Sequence, residues 1–279
     1  MSLVRSLRIL ASQRPSTPPR AVADPARVTR VRHAHVPVTW IDQELAGSGA
    51  IVHLHGGAYV QGETPQTWDW LEEVSRRSRV AGAMIHYRLA PRHRYPAAVE
   101  DVLHAVDDML ATNVLRPGAW VLSGDSAGGG LALAVAQTLA HTGSGAPAAL
   151  LLETPWSDLS RDDHGEEQLR IAARVYAGGV PRTEPRLSPV HGDLHGLPPV
   201  HLVLGGKDSL VHDGRRLVEA LDGAGVEHHV LEIPSGGHHV GVAGQGADSQ
   251  EARRFQIAAV RAALGIKTTP VPGGHHGGH

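Results

Sequence analysis

Apolar positions along the chain follow two rhythms. Short, nearly continuous apolar runs occupy residues 50–54, 80–87, 120–123, 148–153, 200–204 and 230–233. Between them lie helical periodicities at 68–79, 96–109, 131–141, through Arg216 and Leu221, and at 249–264. In the second of these, Val99, Val102, Leu103, Val106 and Leu110 share one face, and Pro96 suits a first helical turn. Residues 28–36 and 38–43 read as an antiparallel opening pair. Strands alternating with helices predict an α/β fold, a mostly parallel eight-stranded sheet with helices on both faces. Residues 156–197 break the rhythm, being polar over 161–167, then aromatic, then proline-rich. They read as an insertion that forms a small cap together with the N-terminal segment.

A chain of 279 residues suits one such domain. The expected organisation is an N-terminal cap or linker over 1–27, an α/β domain over 28–265 that includes the cap insertion at 156–197, and a flexible His/Gly-rich tail over 266–279. Leu3, Leu7 and Leu10 share a helical face that could cover the mouth of a site, with Arg5 and Arg8 on the polar side. Arginines inside that stretch argue against a secretory signal, and no apolar run reaches the ~20 residues needed to span a bilayer. The formal net charge is −2 and no basic stripe appears, which argues against a nucleic-acid partner. There is no cysteine, so disulfides, thiolate metal sites and a cysteine nucleophile are excluded. A cytoplasmic location is the simpler expectation.

The chemistry concentrates where strands end. Gly124-Asp125-Ser126-Ala127-Gly128 follows one strand-like run and precedes a helix-like one. That is the setting of a nucleophile elbow, in which serine sits on a strained turn and small neighbours let backbones pass closely. Upstream, the run at 51–54 enters His55-Gly56-Gly57-Ala58-Tyr59, where glycines let amides converge on one point. The amides of Gly56 and Gly57, with that of Ala127, are the expected oxyanion hole; each such donor stabilises the developing charge by roughly 2.7–4 kcal/mol. Asp208 closes the strand at 200–204, and His238 and His239 follow the strand at 230–233. Serine, acid and histidine in this chain order, all at carboxyl ends of strands, predict a catalytic triad. Tyr59, Ala58 and Trp68 are candidate substrate-binding residues, with Trp70 and Tyr176 as further aromatics. Asp213, at the start of the following helix, is a weaker alternative acid.

The chain resembles the hormone-sensitive-lipase-like branch of the α/β-hydrolases, bacterial esterases with a Gly-Asp-Ser-Ala-Gly elbow. The likeness rests on His55 to Tyr59, Tyr87-Arg88-Leu89-Ala90-Pro91, Tyr95 to Asp101, Gly124 to Gly129, Pro155 to Ser160, Leu187-Ser188-Pro189, Leu197-Pro198-Pro199 and Gly206 to Leu210. It covers about residues 28–265. Three positions depart: Ala58 stands for a third glycine, Arg92 for a glutamate, and His239-Val240-Gly241 for His-Gly-Phe. The resemblance implies a serine carboxylesterase acting on short-to-medium acyl esters through an acyl-enzyme, with Ser126 as nucleophile and Asp208 as acid. Its register selects His239 as base, with His238 the rival. No cofactor or metal is implied; the expected partner is a small ester, without stable membrane insertion, and relatives often form homodimers. Two other functions share this scaffold: an amide hydrolase or deacetylase of a small metabolite, and a catalytically inactive small-molecule-binding protein.

Overall fold

The computed structural model describes residues 12–143, 145–163 and 165–267. The amphipathic stretch expected at 3–10 and the His/Gly-rich tail from 268 onward lie outside them. Eight strands form one sheet: β1 (Val28–His33), β2 (Val36–Ile41), β3 (Ala50–Leu54), β4 (Ala81–Ile85), β5 (Trp120–Asp125), β6 (Ala149–Glu153), β7 (Val200–Gly205) and β8 (His228–Ile233). Their order is β1-β2-β4-β3-β5-β6-β7-β8. Only the pairs of β1 with β2 and of β2 with β4 are antiparallel; the remaining pairs are parallel. The expected α/β fold with a mostly parallel eight-stranded sheet is what the chain adopts.

Strand alternation sorts the core into two layers. Ala50, Val52 and Leu54 of β3, Trp120 and Leu122 of β5, and Leu150 and Leu152 of β6 face one layer. Ile51, Val121, Ala149 and Leu151 face the other. Both faces of the central strands are buried, which is why their sequences are apolar runs rather than alternations. Helices α1 (Pro65–Ser78) and α6 (Gly246–Ala263) cover the second layer, supplying Leu71, Val74, Ile257 and Val260. Helices α2 (Ala97–Ala111), α3 (Ala127–Thr142) and α5 (Val211–Gly223) cover the first.

The segment at 156–197 carries helix α4 (Glu167–Ala177) and a 3₁₀ turn at Pro189–His191. It is less separate than its polar composition suggests. Trp156, Leu159, Ala173, Tyr176 and Leu187 are buried in the main core layer. Asp158, buried, pairs with Arg216 of α5 at 3.1 Å and His191 at 3.2 Å. The apolar positions outnumbered by charges in sequence are the ones that anchor it.

Candidate active site

Ser126 sits between β5 and α3 with φ 51° and ψ −119°, a conformation that non-glycine residues avoid. Its surroundings impose it. The Ser126 amide donates to Glu153 O at 2.9 Å, and Ser126 O accepts from the amides of Trp156 (2.8 Å), Gly129 (3.0 Å) and Gly130 (3.1 Å). Such over-determination is how a strained residue persists at a site. The glycine at 128 has a steric cause: a Cβ there would lie 2.0 Å from Leu54 O, so the elbow approaches β3 only without a side chain.

Parallel pairing brings the other strand ends alongside. Asp208 follows β7, its Oδ1 accepting from the Leu210 amide at 3.0 Å. His238, in the loop after β8, places Nδ1 2.8 Å from Asp208 Oδ2 and Nε2 3.1 Å from Ser126 Oγ. Three side chains separated by 112 positions in sequence thus form one continuous relay.

The histidine expected to bridge, His239, does not. It has φ 59°, and its ring packs against that of His238 with centroids 3.8 Å apart and planes tilted by 34°. Its Nε2 lies 3.0 Å from Asp125 Oδ2, too obliquely for a hydrogen bond. Consecutive loop residues project differently, and the positive φ commits this one to the elbow's aspartate. His238 occupies the bridging place.

Among the expected oxyanion donors, Gly56 is also displaced: its N–H donates to Asp125 Oδ1 at 3.0 Å. The amides of Gly57, Ala58 and Ala127 find no acceptor among the described residues. Gly57 has φ 111°, and a Cβ there would stand 2.4 Å from Gln61 O, so this turn requires glycine. Tyr87 braces the loop from behind, donating to His55 O at 2.5 Å and stacking on the His55 ring at 4.4 Å.

The aromatic candidates divide. Tyr59 stacks on Tyr176 of α4 at 3.9 Å and 3°, fixing the inserted segment to the loop after β3. Ala58 is half-buried beside it. Trp68 and Trp70 are spent on the second core layer, their indole N–H groups donating to Ser16 Oγ at 2.9 Å and Gln256 Oε1 at 2.8 Å. Tryptophan near a helix start serves here as packing. Asp213, inside α5, lies 3.7 Å from Arg161.

Charge is arranged around the relay. Burial disfavours ionisation of Asp125, yet His239 and His53 outweigh it and hold the carboxyl well below the usual range. Asp208 is likewise lowered, His238 prevailing over burial. Burial lowers His238, but its hydrogen bond to Asp208 and nearby carboxylates outweigh that, so the imidazole is raised. His239, without a hydrogen-bonded carboxylate, is lowered by burial. His53, interior to β3, bridges Ser123 Oγ at 3.2 Å and Asp125 Oδ1 at 3.1 Å. Sequence reading passed over it, although a histidine inside an apolar strand signals a buried partner.

A sequence profile of the alpha/beta hydrolase fold matches residues 51–241. The chain is 36% identical over 216 residues to an acetyl-hydrolase of Streptomyces hygroscopicus, covering 72% of this chain and 71% of that protein. An esterase/lipase from an uncultured bacterium superposes with a TM-score of 0.83 at 27% identity, covering 95% and 92% of the two chains. An esterase of the bacterial hormone-sensitive lipase family superposes with a TM-score of 0.79 at 28% identity, covering 87% and 86%. The fold, the elbow and these similarities together establish that the chain belongs to the α/β-hydrolase fold family, in its hormone-sensitive-lipase-like branch.

Proposed function

We propose that the protein is a serine carboxylesterase hydrolysing short-to-medium acyl esters, with Ser126 as nucleophile, His238 as general base and Asp208 as its orienting acid. The observation that carries this reading is the relay from Asp208 Oδ2 through the His238 ring to Ser126 Oγ, at 2.8 and 3.1 Å. Ser126 Oγ attacks the ester carbonyl carbon as its proton passes to His238 Nε2. The carbonyl oxygen gains the negative charge, for which the free amides of Gly57, Ala58 and Ala127 are the available donors. Collapse breaks the bond to the leaving alkoxide, which takes the proton from His238 Nε2 and departs as alcohol. Water then attacks the acyl-enzyme, giving its proton to His238, and the acid is released as Ser126 Oγ recovers it. Asp208 keeps Nδ1 protonated and stabilises the imidazolium without taking its proton.

Short acyl groups fit two features. Ala58 adds a methyl beside the oxyanion loop, and α4 is pinned there by the Tyr59–Tyr176 stack. A relative named as an acetyl-hydrolase supports the same preference. That name also leaves room for a second reading, hydrolysis of an acetyl amide by the same groups. No helix among the described residues is long and apolar enough to cross a membrane. A cytoplasmic setting and a homodimer formed through edge strand β8, where Val230 is 40% exposed, complete the proposal.

The test is a screen of p-nitrophenyl esters from acetate to palmitate alongside N-acetyl amides, with Ser126→Ala as control. Turnover of short esters, and fluorophosphonate labelling of the parent but not of the variant, is the expected result. Equal labelling of both proteins would sink the serine mechanism. A maximum at dodecanoyl or longer would overturn the acyl preference, and faster turnover of amides would put the second reading first.

A further inference from the structure

Glu153 ends β6 in register with Asp125 of β5, and both its backbone and its side chain are committed to the reacting segments. Its carbonyl accepts the amide of Ser126 at 2.9 Å. Its Oε1 accepts the amides of Gly241 at 2.8 Å and Val242 at 3.1 Å, three and four residues beyond His238. Its Oε2 accepts from Gln256 Nε2 of α6 at 2.7 Å, and Gln256 Oε1 accepts from Trp70 Nε1 of α1 at 2.8 Å. The residues before it in β6 are Leu150, Leu151 and Leu152, and the site is buried.

A carboxylate there is costly. Burial pushes its carboxyl up to about 7 even with these donors opposing the shift. A leucine would continue the strand's pattern, but could not accept the two loop amides. Buried amides without acceptors are expensive, so the histidine loop would have to leave the sheet. The glycine at 241 fits the same contact, since a Cβ there would lie 2.5 Å from Glu153 Oε2.

We propose that Glu153 is a positioning residue for catalysis: it bolts the loop that carries His238 to the strand that carries the nucleophile's backbone anchor. The proposal rests on the reading of His238 as the base. Donor and acceptor chemistry makes it testable by a swap. In Glu153→Gln, Oε1 can still accept from Gly241 and Val242, but the new amide nitrogen faces Gln256 Nε2, donor against donor. Flipping Gln256 to accept would strand the indole N–H of Trp70. Glu153→Gln combined with Gln256→Glu restores every pair: the glutamine at 153 donates to the carboxylate at 256, which also accepts from Trp70.

The parent chain, Glu153→Gln and the swap are compared by kcat and KM on p-nitrophenyl butyrate. Amide exchange over residues 238–244 is followed by mass spectrometry. A misplacement of the base on the order of an ångström reduces kcat by about 10–100-fold, with KM within about twofold of the parent. Exchange in the loop should accelerate in the single variant. The swap should return kcat to within about threefold of the parent and slow the exchange again. Parent-like kcat and exchange in Glu153→Gln would overturn the proposal, as would a folded swap whose kcat stays as low as the single variant's. If the single variant fails to fold, the swap decides alone by its kcat. A His238→Ala enzyme with parent-like turnover would instead remove the base reading, and this proposal with it.

Discussion

At the residue scale, two adjacent histidines differ in what their neighbours let them do. His238 touches both Ser126 and Asp208, whereas His239 faces Asp125. His238→Ala should therefore reduce kcat by several orders of magnitude, leaving only about 10³–10⁴-fold acceleration over water from the oxyanion hole and binding. His239→Ala should keep substantial turnover, and steady-state kinetics on a short ester separates the two. The sign of the pH dependence follows from the same contacts. The base acts as neutral imidazole, and Asp208 raises its pKa, so kcat/KM should fall as pH drops through a value raised above that of an ordinary histidine. Asp208→Asn removes the largest raising influence and leaves burial, which lowers the pKa, opposed only by the weaker fields of Asp125 and Glu153. Its acid limb should move to lower pH, with kcat down by about 10⁴-fold. An acid limb that stays in place would show that Asp208 does not control the base.

At the element scale, the turn after β3 is the part whose backbone the proposed mechanism uses. The amides of Gly57 and Ala58 find no acceptor among the described residues, and the chain there adopts positive φ at Gly57, Ala58 and Tyr59 in succession. A methyl at 57 meets both an unfavourable φ and the Gln61 carbonyl oxygen at 2.4 Å. Gly57→Ala should cost about 10²–10³-fold in kcat by displacing oxyanion donors, with fluorophosphonate labelling slowed in proportion. Gly143→Ala is the control, since it too has positive φ but a Cβ there meets nothing within 4 Å. It should lower stability without touching kcat. Equal losses of kcat in the two variants would argue against a specific role for the turn.

At the scale of the whole molecule, the site is held by a buried carboxylate junction. Glu63, in the loop between β3 and α1, accepts from the Ser16 amide at 2.7 Å and Ser16 Oγ at 2.6 Å. It lies 3.2 Å from His86 Nδ1 and 3.8 Å from His55 Nε2. His86 in turn meets Thr39 of β2 at 2.8 Å. The N-terminal segment, the opening hairpin, the end of β4 and the loop after β3 thus converge on one carboxylate. Burial opposes its charge, but His86, His55 and Ser16 outweigh burial and lower its pKa. A lowered carboxyl stabilises the fold above its unfolded pKa of about 4.3, and that contribution is lost as pH falls towards the folded value. Replacing this buried, hydrogen-bonded carboxylate by an amide costs on the order of 1–3 kcal/mol, so Glu63→Gln should lower Tm by roughly 2–6 °C near neutral pH. Calorimetry from pH 7 down to 3 should show the parent losing Tm more steeply than the variant below about pH 4. Parallel curves would mean that Glu63 does not carry the acid sensitivity.

The amino-acid sequence by itself determined most of the elements and marked Ser126 and Asp208 as candidate reacting groups. Strands buried on both faces must be continuous apolar runs, and amphipathic helices must repeat near every 3.6 residues, so both patterns were legible locally. Gly124 to Gly128 announced the elbow because only small residues fit a turn that passes so close to β3. Asp208 was legible because it follows the carboxyl end of a strand in a parallel sheet, where the fold gathers side chains. The tertiary structure decided what depends on distant partners. His238 and His239 share one loop and one composition, and only the backbone path between β8 and α6 chose between them. Gly56 was lost as an oxyanion donor to Asp125, a residue 69 positions away. Trp68 went to the core because Ser16 and the sheet surround it. Glu153 reads as one polar residue closing an apolar strand, and its meaning appeared only when the chain folded the amides of Gly241 and Val242 onto it, 88 and 89 positions later. Periodicity and motif are properties of neighbours along the chain, whereas hydrogen-bond commitment is a property of neighbours in space.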